Sequence, residues 1–491
     1  MQNLLNFLYV WKIMIARVNR KWLVWVSDIR FWIALFFLLR LYGITLPPAE
    51  VGHAWRQVTV NMVARNFLET NPNIFFPRVD FAGEKTGITG MEFPLLNYLI
   101  YLVSLVAGFD HWYGRIINLI VSSLGIYFFY LLLRKWLSER IAFFSTLVLL
   151  CSIWFNYSRK IMPDTFSISL IFIGLYAGIL YLERGKRIHL TASGILITLG
   201  LLAKLPALCL MPVILFPLLD RTIPVKRKWA LAAALALAAS TVSLWYFHWV
   251  PHLVKQYGFW HFYMGNSFSR GWNEILDNLP DTAKNFYFSS LYSFLGFAAF
   301  LTGICLAFIR KEKKITQTFL LLTAVFVIFI IKAGYNFPHH NYYIIPYVPV
   351  MALGAGYLIS LVDRPWVRCV LTAVILLEGI VNQQHDFRIK PENKYLPELE
   401  AYADRVSGRD DLIVINGGTS PVDIYFTHRR GWTCQNEDIF SGTALEEVAA
   451  KGCRFFFLNR NRVAGDLPKI PHPIIFENED LRIYDLRASG R

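Results

Sequence analysis

Charge is scarce in this chain. Of its 491 residues, 17% are Asp, Glu, Lys or Arg, where soluble domains carry about 25%, and that excludes an ordinary soluble globular protein. Cysteine is scarce too. Six residues are too few to staple a fold of this length. Cys151, Cys209, Cys305 and Cys369 fall in apolar runs and read as packing residues, whereas Cys434 and Cys453 lie in a polar tail where they can pair or stay free. There is no Walker motif, no Gly-rich dinucleotide turn and no Ser-His-Asp signature, which sets aside nucleotide-driven, dinucleotide-dependent and serine-hydrolase chemistry. Internal repeats and low-complexity tracts are missing as well, so a solenoid is excluded. The first 30 residues lack a small-residue cleavage site and read as a basic amphipathic segment on the cytoplasmic membrane surface.

What the chain has in excess is hydrophobicity and positive charge. It is 55% hydrophobic, with apolar runs of membrane length such as 31–47, 116–133 and 286–309, the pattern of a polytopic α-helical membrane protein. Lys and Arg number 49 against 34 acids, a net charge of +15. The basic residues cluster in short loops (Arg134 with Lys135, then 184–187, 226–228 and 310–314), as cytoplasmic loops do, so the charge speaks for the lipid bilayer and not for nucleic acid. Residues 31–383 hold about 12 candidate spans. They reduce to about 11 if the weakest, 93–108, begun by Pro94, is re-entrant or lies along the surface. With the basic loops inside, the first loop (48–93), the segments around 158–164, 249–287 and 334–341, and the hairpin tip at 204–206 share the outer face. From 384 to 491 short β-branched and aromatic runs alternate with a helical stretch, which predicts a small soluble extracytoplasmic α/β domain.

The first loop is the most informative segment. Loops longer than about 12–15 residues are usually functional, and this one carries Glu50, His53, Arg56, Gln57, Asp80 and Glu92 beside a bilayer. The run 52–57, GHAWRQ, opens a segment whose apolar Val60, Val63, Phe67 and Leu68 recur at helical spacing. It reads either as a surface helix anchored by Trp55 or as a phosphate contact through Arg56 and His53. Gly83, Gly87 and Gly90 permit tight backbone near Asp80, and Glu92 stands at the edge of an apolar run, where a carboxylate is costly unless partnered. Downstream, Arg159 and Asp164 flank a short loop, though Asp164 behind Pro163 also suits a helix start. Lys204, inside LLAKLPALCLMP, needs an anion or a watery cavity unless it snorkels to the interface. His252, His261, His339 and His340, with Tyr342, sit in aromatic-rich segments. A divalent metal is conceivable there, but no ligand spacing marks one.

With these residues in view, the chain resembles the GT-C fold membrane glycosyltransferases, and within them glycosyltransferase family 39, the branch with protein O-mannosyltransferases and the lipid A aminoarabinose transferase. The resemblance covers roughly residues 30–380. It rests on 91–94 (MEFP), on Arg159 to Asp164 as an R-x-x-x-P-D-like loop, and on 203–206 (AKLP). The acidic pair usual after the first span is replaced here by Trp55, Arg56 and Gln57, with Glu50 just upstream. The resemblance implies transfer of a sugar from a polyprenyl-phosphate donor to a lipid, glycan or protein acceptor, with inversion, on the periplasmic face of a bacterial inner membrane. It also implies catalytic carboxylates among Asp80, Glu92, Glu50 and Asp164, with the first two leading, and substrate contacts from His53, Arg56, Gln57, Arg159, Lys204, His339, His340 and Tyr342. A transporter or lipid-carrier flippase would also explain many spans and a buried lysine, but not a long acidic first loop with a folded tail. An O-antigen ligase or polymerase would place its large polar loop late in the chain.

Overall fold

The computed structural model describes residues 25–260, 265–440, 443–465, 467 and 469–488. The amphipathic reading of residues 1–24 and His261 lie outside them. The membrane part is a bundle of helices: α1 (Ile29–Arg40), α2 (Ala54–Glu69), α3 (Leu95–Ala107), α4 (Tyr113–Trp136), α5 (Glu139–Cys151), α6 (Pro163–Arg184), α7 (Arg187–Ala203), α8 (Val225–Leu244), α9 (Phe294–Ile309), α10 (Lys313–Ala333), α11 (Val348–Leu361) and α12 (Pro365–Val381). Small residues set the close approaches. Gly125 of α4 faces Ser169 of α6, and Gly356 of α11 faces Ser145 of α5, with no room for a Cβ at either glycine, the usual device for packing helices in lipid.

Few of the expected spans are single straight helices. Among the described residues four are long and apolar enough to cross a membrane: α4, α6, α10 and the run Val225–Tyr257. A fifth joins them if Leu279–Ser289 and α9, bent by 91°, count as one. Helix breakers shorten two of the others. Pro206 and Pro212 turn Leu205–Ile214 into 3-10 helix, because a proline offers no N–H to the ladder. Helix α3 runs for 13 residues between Pro94 and Gly108, about 20 Å long against a hydrocarbon core of about 30 Å.

The basic loops converge at one end of the bundle. Lys135 Nζ lies 2.7 Å from Glu183, Arg227 donates to Leu182 O at 2.9 Å, and Lys314 Nζ donates to Trp136 O at 2.8 Å. The first loop, the segments at 158–164 and 334–341, and the tip at Lys204 converge at the other.

The tail forms a five-stranded sheet in the order β2-β1-β3-β5-β4, with β1 Leu412–Ile415, β2 Arg430–Thr433, β3 Cys453–Asn459, β4 Ile474–Glu477 and β5 Leu481–Asp485. Strand β1 pairs in parallel with β2 and β3, joined through helices Val422–Thr427 and Thr443–Ala450, and β5 runs antiparallel to both β3 and β4. Alternation along the strands separates two faces. Val414, Phe456, Leu458 and Tyr484 form one small core, while Ile413, Ile415, Phe455, Phe457 and Ile483 pack with Val58, Met62, Val63 and Phe67 of α2.

Helix α2 is thus no surface helix. Its other side, through Val60 and Ala64, packs on Leu96, Ile100 and Ile161, so residues 57–67 are buried all round. It is a wedge between bundle and sheet. Cys434 and Cys453 are free thiols. The first follows β2, the second opens β3, and β1 lies between them, which puts the flanking strands about 9.6 Å apart, beyond the reach of a disulfide.

Candidate active site

Glu92 is positioned by the backbone on either side of it. Met91 O accepts from Trp245 Nε1 at 3.0 Å, and Phe93 N donates to Leu202 O at 3.1 Å. Leu202 O also accepts from the Tyr246 hydroxyl at 2.9 Å. Two residues on, Lys204 leaves α7 in an extended conformation, its carbonyl accepting from Ser167 Oγ at 3.2 Å. Four side chains meet as a result. Arg56, in the first turn of α2, is ion-paired with Glu92. Lys204 Nζ lies 3.9 Å from Glu92 Oε1 and 3.8 Å from Asp164 Oδ1 at the start of α6. Both carboxylates are buried. Beyond these ion pairs neither Glu92 oxygen nor Asp164 Oδ2 has a hydrogen bond. Buried charges without hydrogen bonds are costly, so this cluster holds unused capacity for a polar ligand.

Tyr342 walls the cluster, its ring 5.7 Å from Lys204 Nζ. His53 packs edge-on against that ring at 4.9 Å and donates from Nε2 to Asn341 Oδ1 at 3.0 Å. Asn341 donates in turn to the Tyr292 hydroxyl at 3.0 Å. Burial, helped by the Lys160 ammonium, pushes His53 down to about 3, so it stands neutral with one N–H to give. The residue occupies left-handed backbone, φ 57°, uncommon outside glycine and a sign of local constraint. His340 stacks on Tyr342 at 5.5 Å. His339 turns away, stacking on Tyr335 and donating to its carbonyl at 2.8 Å.

A second buried cluster surrounds Glu50. Arg115 lies 2.7 Å from it, Arg159 lies 3.6 Å from it, and Gln57 Nε2 donates to it at 2.8 Å. Arg159 thus belongs with Glu50 and has no ion pair at the Glu92 cluster among the described residues. Its guanidinium donates to Tyr42 O at 2.9 Å and lies over the Phe387 ring. Asp80 is elsewhere again. It accepts from Arg65 at 3.0 Å and from Asn66 at 2.7 Å, and its carbonyl accepts from Gly431 N of β2 at 2.9 Å. That is a brace between the first loop and the tail.

The family model described as dolichyl-phosphate-mannose-protein mannosyltransferase matches residues 92–246, the stretch that holds Glu92, Asp164 and Lys204. No curated protein sequence gives a significant match. Among solved structures, ArnT from Cupriavidus metallidurans superposes over 93% of this chain and 98% of its own at 12% identity, with TM-score 0.59 in the apo state and 0.60 bound to undecaprenyl phosphate. The Archaeoglobus fulgidus oligosaccharyltransferase, in a complex with Zn and sulfate, matches at 13% identity over 87% of this chain and 67% of that one, with TM-score 0.56. This is the GT-C glycosyltransferase fold.

Within that GT-C framework the site also uses residues that sequence reasoning passed over. Lys160, buried, donates to Gly52 O at 2.7 Å and lies 3.5 Å from Asp386, so the chain just past residue 384 returns to the site before the tail begins. Ile389 also pairs with Glu50 through a backbone bridge. Asn118 Nδ2 ties the 157–162 turn by donating to the carbonyls of Tyr157, Lys160 and Met162. Arg115 was legible in principle, since it opens an apolar run as Glu92 does. Asn341 and Asn118 carried no such signal. Among the described residues no group of three or more His, Cys, Asp or Glu gathers as metal ligands. His252 instead packs against Trp249 with its ring tilted by 33°.

Proposed function

We propose that this chain transfers a sugar from a polyprenyl-phosphate donor to an acceptor hydroxyl, at Glu92, Arg56, Lys204 and Asp164, on the outer face of a bacterial inner membrane. One observation carries this reading. The cleft beside Lys204 and an apolar cavity of about 270 Å³ are lined in succession by the same three elements. Asp164 and Ile168 give way to Phe172 and Leu175 on α6, Lys204 and Ala207 to Leu210 and Val213, and Tyr342 and Pro346 to Val350 and Leu353. A charged cleft at one end of these elements and an apolar cavity farther along them, toward Trp136 and Lys314, suit an amphiphile with an anionic head and a long hydrocarbon tail. ArnT, which shares the fold, has been seen with undecaprenyl phosphate bound.

The mechanism follows from the shared ion pairs. Glu92 is ion-paired with Arg56 and Lys204. A donor phosphate entering between those cations takes its place, since guanidinium and ammonium groups hold phosphate well. The released carboxylate accepts the proton of the acceptor hydroxyl as that oxygen attacks the anomeric carbon. The bond from that carbon to phosphate breaks, and the departing phosphate keeps its charge paired with Arg56 and Lys204. A single displacement inverts the anomeric centre. Asp164 orients Lys204, and His53, Tyr342 and His340 form the wall against which the sugar lies. Glu50, Gln57, Arg115 and Arg159 hold the start of α2 in place.

The test is transfer from a panel of radiolabelled polyprenyl-phosphate sugars by purified protein in liposomes. Transfer with inverted stereochemistry supports the reading. Movement of the intact lipid across the bilayer without transfer points to a flippase.

A further inference from the structure

We propose that the buried arginine cluster around Glu50 holds a small monovalent anion, chloride, at the C-terminal end of α1. The inference is separate from the glycosyl-transfer reading and adds a site to the fold. Arg40, Arg115 and Arg159 are each 1% exposed or less, and Glu50 is 2% exposed. Glu50 pairs with Arg115 and Arg159. Arg40 has no ion pair among the described residues and donates instead to Phe36 O and to the hydroxyls of Ser158 and Ser123. Arg159 follows Ser158 in the chain and is close enough to Arg40 and Arg115 for the like charges to repel.

The charges here do not balance. Lys160 and Asp386, which adjoin the cluster, pair with each other, so four buried cations face two carboxylates. The last carbonyls of α1 offset about half a charge. The other carbonyls that accept from these arginines bring dipoles and no ionic charge. Arginine does not shed its proton in a protein, and none of the three guanidinium groups reaches a lipid phosphate, because all are enclosed. A buried charge without a partner is strongly destabilising, so the cluster requires a counter-ion from solution.

The donors to hold that ion are present. Arg159 Nε and Nη1 and Arg115 Nε are buried and have no hydrogen-bond partner among the described residues. The remaining Arg159 nitrogen donates to Tyr42 O at 2.9 Å, and Arg115 donates to the carbonyls of Ile44, Leu46 and Pro47. Two guanidinium groups, one from α4 and one from the 157–162 turn, therefore converge on Glu50 with N–H groups to spare. The enclosure fits a small ion and excludes the phosphate of a lipid, whose chain needs an opening. Gln57, next to Arg56 in α2, donates to Glu50 and accepts from Ile161 N. The anion thus braces the turn that presents Arg56 to Glu92.

The experiment is binding of radiolabelled chloride to the full chain in detergent, beside melting curves in chloride and in gluconate at equal ionic strength. Gluconate is too bulky for the enclosure. Chloride should bind saturably, one ion per chain. At a hundredfold excess over its dissociation constant it should raise the melting temperature by about 2–3 °C over gluconate. Arg159→Gln leaves Glu50 paired with Arg115 but removes two of the three free donors, so chloride affinity should fall at least tenfold. Arg159→Lys keeps the charge and should bind within a few-fold of wild type. If Arg159→Gln does not fold, the wild-type measurements decide. No saturable chloride binding, identical melting in the two salts, or release of chloride by undecaprenyl phosphate would overturn the proposal. The last result would make the cluster the donor's phosphate site.

Discussion

Glu92 and Lys204 face each other at 3.9 Å, and the backbone keeps them there, since Phe93 N donates to the carbonyl of Leu202. The pair joins the first loop to the tip of a Pro-broken hairpin, two segments separated in the chain by the five helices α3 to α7. Lys204 is shared between two anions, Glu92 and Asp164. In the mechanism proposed above it keeps one and exchanges the other for phosphate.

Lys204→Met should lose donor binding and most turnover; Glu92 keeps Arg56, whereas buried Asp164 loses its ion pair, so the variant should also melt earlier. A desolvated pair to a charged ligand is worth about 2–5 kcal/mol. Titration with undecaprenyl phosphate measures it. Unchanged affinity would make Lys204 a snorkelling residue.

Asp80→Asn should behave differently. Removing one partner of a buried pair leaves Arg65 uncompensated, a loss of about 3–5 kcal/mol, so the variant should melt earlier. Turnover per folded molecule should stay within a few-fold of wild type. A large drop in turnover at normal stability would return Asp80 to the list of candidate bases.

The tail should undock with rising pH. His428 places Nε2 2.8 Å from Glu69 of α2 and Nδ1 2.9 Å from Glu400, so both ring nitrogens donate and the imidazole is charged. Burial and Arg65 oppose that charge, but hydrogen bonds to Glu400 and Glu69 prevail and raise its pKa. Glu400, hydrogen-bonded by His428 and Arg409, falls to about 2. A raised histidine stabilises docking fully below its ordinary value near 6.5 and loses that contribution as pH climbs through the folded value. Hydrogen-exchange protection factors in α2, which divide out the intrinsic rise of exchange with pH, should therefore fall between pH 6 and pH 9 in wild type and show no such step in His428→Gln. A pH-independent wild type would contradict this.

Much of this was legible in the sequence, and the failures have physical causes. Glu92 and Lys204 stand out because a charge inside or beside an apolar run must find a partner. Asp80 looked equivalent, since a Gly-rich turn reads the same whether it folds over a ligand or braces a domain. Of the two readings of α2 the surface helix fails, because Val60, Val63, Phe67 and Leu68 describe one apolar stripe, whereas polar Gln57, Asn61, Arg65 and Asn66 are buried too, through hydrogen bonds to partners distant in sequence. Periodicity registers burial of apolar side chains only. Pro206 marks the hairpin tip in the sequence, but hydropathy counts apolar residues and is blind to where Pro212 keeps the following segment out of the α-helical ladder.

The groove makes its own prediction. Leu175→Trp adds bulk where α6 lines the apolar cavity, so KM for a long-chain donor should rise several-fold while that for a donor with two or three isoprene units stays level. Equal effects on both would place the tail elsewhere.

The most direct test of the account is single-turnover sugar transfer by Glu92→Gln, measured beside its affinity for undecaprenyl phosphate. As the base, Glu92 acts in the transition state, so turnover should fall about 10²–10⁴-fold. Donor affinity should hold or improve, because the group that competes with phosphate for Arg56 and Lys204 has lost its charge. Turnover within a few-fold of wild type, or a loss explained by weakened donor binding, would contradict the account.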